Sequence, residues 1–89
     1  MLAYYTVAVR PVGAWGELPE LNDRVRRASE DLRREGAAVR LVRSVFVPED
    51  ETCLYLYEAG SAEAVRAAAR RADLPAEHVT EVVSEGGSR

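Results

Sequence analysis

The 89-residue sequence predicts an α+β domain whose elements follow one another in the order β-α-β-β-α-β. A hairpin pattern occupies the middle of the chain, and a helical segment and a β-rich segment lie on each side of it. This order is typical of the ferredoxin-like, split βαβ fold. Right-handed crossovers would place both helices on one face of a four-stranded antiparallel sheet and leave the other face open. We expect a single domain over residues 1–85 and a flexible tail over residues 86–89.

The segment before the hairpin predicts one strand and one helix. Residues 2–10 (LAYYTVAVR) are rich in β-formers, and they end at Pro11, which cannot donate to a central ladder. A glycine-rich loop follows as far as Gly16. From about residue 18 to residue 35 apolar side chains recur every three or four positions, and Gly36 is a natural helix stop. The predicted buried face of this helix is Leu21, Val25, Ala28 and Leu32.

The segment after the hairpin predicts a second helix and a last strand. Ser61 is a suitable N-cap, and Glu63 complements the helix dipole in the first turn. The helix ends before Leu74-Pro75, and residues 78–84 (HVTEVVS) form the fourth strand. Small side chains on one face suit this helix to close packing on a sheet. They are Ala62, Val65, Ala68, Ala69 and Ala72.

The hairpin consists of two β-branched and aromatic runs, residues 39–47 and 52–58, joined by a polar Pro-Glu-Asp-Glu turn. If Val47 faces Thr52, strict alternation assigns the remaining side chains to two faces. One face holds Val42, Ser44, Phe46, Cys53, Tyr55 and Tyr57, with Val42 opposite Tyr57. The other face holds Leu41, Arg43, Val45, Leu54, Leu56 and Glu58.

This register predicts a charged pair on an otherwise aliphatic face. Arg43 lies opposite Leu56 and diagonal to Glu58, within reach for long side chains. Burying a charge is costly unless it is paired or used. The pair is therefore either a structural ion pair or the polar anchor of an apolar small-molecule site. We expect the ligand-binding residues to be Arg43, Glu58, Leu54, Leu56, Tyr5 and Trp15.

Two classes of function fit this site. The first is a binding protein that holds a small, largely apolar ligand in a sheet-lined cavity. The second is a small cofactor-independent enzyme like the dimeric α+β barrel cyclases and monooxygenases, and here the comparison rests on architecture alone. In such an enzyme Glu58 would be the general acid or base, and Arg43 would polarise a carbonyl or anchor a carboxylate.

The remaining candidate residues favour structural roles. Cys53 on a strand beside Phe46 is expected to be a packed thiol. His78, the only histidine, is expected to be a surface or capping residue, and it is the least unlikely metal ligand. Because the acids of the turn lack calcium-loop spacing and no second histidine exists, we expect no dedicated metal site. No cofactor is predicted.

The composition of the chain limits the kinds of partner that we expect. The formal charge of −3 argues against nucleic-acid or anionic-membrane binding. No apolar run approaches the roughly 20 residues of a membrane span, and the N-terminus lacks the pattern of a signal peptide. A lone cysteine fits a reducing cytoplasm. Because both hairpin faces are apolar, we expect a homodimer in which a second copy covers the open face.

Four segments of the chain resemble a small actinobacterial family of unknown function, described as nickel-binding-protein-like. They are RSVFVPEDETC (residues 43–53), YEA (57–59), SAEAVRAAARRA (61–72) and LPAEHVTEV (74–82). The resemblance implies a ferredoxin-like α+β dimer. Many members carry His-Ser-Tyr where this chain has Arg43-Ser44-Val45, and cysteine where it has Tyr55. Losing that histidine removes the best ligand, so the resemblance does not extend nickel binding to this chain, and we expect weak metal binding at most.

Overall fold

The computed structural model describes residues 2–9, 18–74 and 79–82. In chain order the elements are β1 (Ala3–Val9), α1 (Leu18–Arg34), β2 (Val39–Val47), β3 (Thr52–Ala59), α2 (Ala62–Arg71) and β4 (Val79–Val82). The four strands form one antiparallel sheet in the order β2-β3-β1-β4, which confirms the predicted ferredoxin-like fold. A short 3-10 turn joins β2 to β3.

The core lies between the sheet and the two helices, on what we call the covered face of the sheet. The predicted apolar stripe of α1 is buried, with Leu21 partly buried at its start. The small residues of α2 let its backbone approach the strands closely, and Ala68 and Ala69 are fully buried. The strands contribute alternate side chains to this core, as a sheet covered on one face requires. These side chains are Tyr5, Val7, Val9, Val39, Cys53, Tyr55, Tyr57 and Ala59.

The ends of both helices follow the sequence signals. Gly36, at φ 103°, adopts the left-handed conformation that favours glycine and ends α1. The Ser61 hydroxyl accepts a hydrogen bond from the Ala64 amide at 3.2 Å and caps α2. At the other end of α2, Arg24 of α1 donates from Nε to the Ala72 carbonyl at 2.7 Å. This contact satisfies one of the free carbonyls of the helix end and joins the two helices.

A β-bulge at Val42 corrects the predicted hairpin register. From the turn to the pair of Arg43 with Leu56 the register is as predicted, but Leu41 and not Val42 lies opposite Tyr57. Leu41 therefore belongs to the covered face, and Arg40 lies opposite Glu58. Strict alternation would have placed Arg40 under the helices, where an unpaired charge is costly. The extra residue in β2 avoids that cost.

Some predictions fall on residues outside the described ranges. These predictions concern the loop that contains Trp15, His78, the ends of the fourth strand and the tail at residues 86–89. Within the described ranges, no helix is long and apolar enough to cross a bilayer.

Candidate functional site on the open face of the sheet

The open face is the side of the sheet that neither α1 nor α2 covers. Three of the five large apolar side chains that the described residues expose lie here: Tyr4 is 39% exposed, Val45 43% and Val82 38%. Leu54 and Leu56 lie between them on β3 and are half-buried. By register, the open face consists of Tyr4, Thr6, Ala8, Arg40, Arg43, Val45, Val47, Thr52, Leu54, Leu56, Glu58, Thr80 and Val82.

Glu58 lies on the predicted face, but its predicted partner is wrong. Oε1 of Glu58 accepts hydrogen bonds from Nη2 of Arg40 at 2.9 Å and from Nε at 3.3 Å. The Arg40 side chain is 50% exposed and that of Glu58 is 22% exposed, so the pair lies at a partly solvated end of the sheet. The bulge at Val42 is the physical reason, because it brings Arg40 directly opposite Glu58.

Arg43 lies opposite Leu56 on the open face, as predicted. Its side chain is exposed, and among the described residues it makes no ion pair. On the side toward the hairpin turn its neighbours on this face are apolar, with Val45 two residues along β2 and Leu54 opposite Val45, and on the other side lies the Arg40–Glu58 pair. The arginine therefore carries an uncompensated charge at the edge of an apolar surface.

Tyr5 does not belong to this face. It is 8% exposed and packs in the core on the covered face, opposite Tyr57, so its predicted role as a wall of the site is wrong. The preceding residue, Tyr4, takes that place and lies opposite Glu58. The site predicted from the sequence included neither Tyr4 nor Arg40. Alternation along β1 could have identified Tyr4, because Tyr5, Val7 and Val9 form one apolar series.

The covered face of β3 holds polar atoms that the structure uses for packing. The Tyr55 hydroxyl donates to Oδ1 of Asn22 at 2.7 Å. Burial is the main cause that raises the pKa of the Tyr55 hydroxyl well above its usual range, and burial also raises the pKa of Tyr57. Cys53 is buried beside them, which confirms the packed thiol. Both phenols stay protonated at neutral pH, and none of the three side chains reaches solvent.

One small cleft adjoins the Arg40–Glu58 pair. It has a volume of about 180 Å³, and its lining includes Leu2, Ala37 and Arg33 as well as the ion pair itself. This is smaller than the roughly 300–1,000 Å³ of most small-molecule sites. Within the described ranges, no group of three histidine, cysteine or acidic side chains is arranged to hold a metal ion. The described residues around the Arg40–Glu58 pair therefore offer an open cleft and not an enclosed pocket of that size.

The comparisons with known proteins agree with this architecture. The family model described as "Nickel responsive protein SCO4226-like" matches residues 13–82. Among solved structures, SCO4226 from Streptomyces coelicolor A3(2) is similar, with a TM-score of 0.72 and 24% sequence identity. The alignment covers 92% of this chain and 99% of that one. No curated protein is significantly similar to the chain.

Proposed function

This chain belongs to the family of nickel-responsive SCO4226-like proteins, and on that premise we propose that it is a small homodimeric binding protein. Two copies would pack their open faces together and hold a small, largely apolar ligand between them. The observation that carries this proposal is the apolar character of the open face around Leu54 and Leu56. Exposed apolar patches of this kind are typical of interaction sites. The Arg40–Glu58 ion pair favours binding over acid–base catalysis, because the carboxylate is already occupied.

The edge of the sheet supports face-to-face packing over edge-to-edge packing. β2 is an edge strand, and its outer backbone groups would be the natural site for adding a strand from another copy. The bulge at Val42 interrupts that edge, and Arg40 and Arg43 flank the bulge. Bulges and charged side chains are common protections against edge pairing. The open face is therefore a better surface for a second copy than the β2 edge.

Two neighbouring residues of β2 provide a matched test of the dimer. Val45 and Ser44 are both exposed and adjacent in the strand, but they belong to opposite faces of the sheet. We expect tag-free wild-type protein to give a mass of about 20 kDa by light scattering, twice the 9.8 kDa of one chain. Val45→Glu would bury an unpaired charge in the dimer and should weaken association by about 100-fold. Ser44→Glu should leave it unchanged.

The same measurements on the wild type, Val45→Glu and Ser44→Glu also show which results would contradict the proposed dimer. A wild-type mass near that of one chain at micromolar concentration would contradict the dimer. Equal weakening by Val45→Glu and Ser44→Glu would mean that copies associate through another surface. Ligand binding is tested with the neutral fluorescent probe N-phenyl-1-naphthylamine, which should bind saturably to the wild type and to Ser44→Glu. Binding that survives unchanged in Val45→Glu would contradict a site between two open faces.

Nickel binding is the second candidate, because the family description names a nickel response. We expect nickel to bind this chain weakly or not at all. Arg43 occupies the position where the resemblance leads one to expect a histidine, and a guanidinium is not a metal ligand. Calorimetry on tag-free protein should therefore show no tight, stoichiometric heat with nickel sulfate. Tight uptake at one ion per chain would overturn this expectation, and His78→Ala would then show whether the only histidine is responsible.

A further inference from the structure

Arg43 is the charge on the open face that the described chain does not neutralise. By register, three charged side chains lie on this face: Arg40, Arg43 and Glu58. The carboxylate of Glu58 already accepts two hydrogen bonds from Arg40, so these two charges cancel. The described open face therefore keeps one net positive charge per copy, and that charge is the guanidinium of Arg43.

We propose that the ligand of the open face is a monocarboxylate with an apolar body, and that Arg43 binds its carboxylate group. This inference rests on the function proposed above and names the ligand class. A guanidinium presents two parallel N–H donors that match the two oxygens of a carboxylate, which a lysine ammonium does not. The apolar body would lie over Leu54, Leu56 and Val45, the apolar neighbours of Arg43 on the same face.

Dimer formation would raise the energetic cost of leaving Arg43 unpaired. Among the described residues of its open face, a second copy packed here brings another net positive charge and no carboxylate that is free of an ion pair. Arg43 would then lose solvent against apolar side chains, and an unpaired buried charge is strongly unfavourable. A bound carboxylate removes that cost at each copy. An apolar ligand without an acidic group would leave the Arg43 charge unpaired. The dimer should therefore bind an apolar carboxylate more tightly than a neutral apolar ligand of the same size.

The test compares two probes that share one apolar body, decanoate and decan-1-ol, by calorimetry at pH 7.5. Wild-type protein should bind decanoate at least about tenfold more tightly than decanol, because a hydrogen-bonded charge pair adds to the same apolar contact. Arg43→Met should reduce decanoate affinity to the level of decanol and leave decanol binding unchanged. The matched control is Arg27→Met, which removes another exposed arginine, on α1, that makes no ion pair among the described residues and does not line the cleft beside Glu58. Its probe ratio should equal that of the wild type.

Arg43→Gln keeps a hydrophilic side chain at this exposed position and should behave as Arg43→Met does. A loss of decanoate affinity in both variants therefore reports the missing charge and not altered packing. Equal affinity of the wild type for decanoate and decanol would overturn the monocarboxylate inference while leaving an apolar binding site intact. An equal drop in Arg27→Met would overturn it too, because overall charge would then be the cause. Failure of both probes and of the neutral naphthylamine to bind would reject the proposed function itself.

Discussion

The two faces of the sheet consist of alternate residues of the same strands, but the helices cover only one of them. On the covered face Val7, Tyr55 and Tyr57 are completely buried, and they stabilise the single chain. On the open face the apolar side chains Tyr4 and Val45 stay exposed and contribute little to one copy alone. Apolar residues that do not stabilise the monomer are better explained by association or ligand binding. The comparison thus separates residues that hold the fold from residues that suit a function.

The largest expected difference between the two faces is in the stability cost of truncating two neighbouring residues of β3. Tyr57→Ala removes a fully buried side chain from the covered face and should lower the free energy of unfolding by about 3–5 kcal/mol. Leu56→Ala, on the half-buried open face, should cost only about 1 kcal/mol in protein dilute enough to be monomeric. Urea unfolding measures both values.

Protein concentration sharpens the same comparison. If a second copy covers Leu56, the cost of Leu56→Ala should rise as the protein is concentrated, because a dimer adds apolar burial at that residue. The cost of Tyr57→Ala should not depend on concentration in this way, since the helices already cover Tyr57. A Leu56→Ala cost that is the same across a hundredfold range of concentration would argue against an interface on the open face.

The covered face itself contains two tyrosines that should respond differently to loss of the hydroxyl group. Tyr55 donates to Asn22, so Tyr55→Phe should cost about 1 kcal/mol and leave the amide oxygen without this donor. The Tyr57 hydroxyl is buried, and no described residue forms a hydrogen bond with it. Tyr57→Phe should therefore be neutral or stabilising by up to about 1 kcal/mol, because burying an unpaired hydroxyl is unfavourable. Equal destabilisation by the two substitutions in thermal unfolding would mean that Tyr57 has a partner of its own.

The fold could be predicted from sequence because each of its signals is local. The Ser61 cap, the glycine stop at Gly36 and the spacing of Val25 and Leu32 depend on a few neighbouring residues, and the structure has all of them as predicted. These signals also determine which elements are present and in what order. Given that order, handedness and layer rules leave few arrangements of a four-stranded sheet with two helices.

The candidate site was harder to predict because it depends on the phase between two strands. Residues 39–41 alternate apolar, charged, apolar, and this series is out of phase with the one that begins at Arg43. A strand that keeps both series on their proper faces needs one extra residue, which is Val42. A prediction that treats the segment as one unbroken strand therefore places Glu58 on the right face but pairs it with Arg43 instead of Arg40. The prediction for Tyr5 is wrong for a related reason. It does not take into account that Tyr5, Val7 and Val9 are alternate residues of β1 and therefore share the covered face.

The smallest expected effect tests the corrected pairing directly, through two double-mutant cycles that share Glu58→Gln. The cycle with Arg40→Met should give a coupling free energy of about 0.2–1 kcal/mol, since this pair is hydrogen-bonded but half solvated. The cycle with Arg43→Met should give a coupling near zero, because Glu58 forms its ion pair with Arg40 and none with Arg43. Both cycles remove one arginine charge from the same strand. Urea unfolding of dilute protein supplies the free energies. A larger coupling for Arg43 than for Arg40 would mean that Glu58 pairs across the bulge, and Arg43 would then lack the free charge that a ligand carboxylate requires.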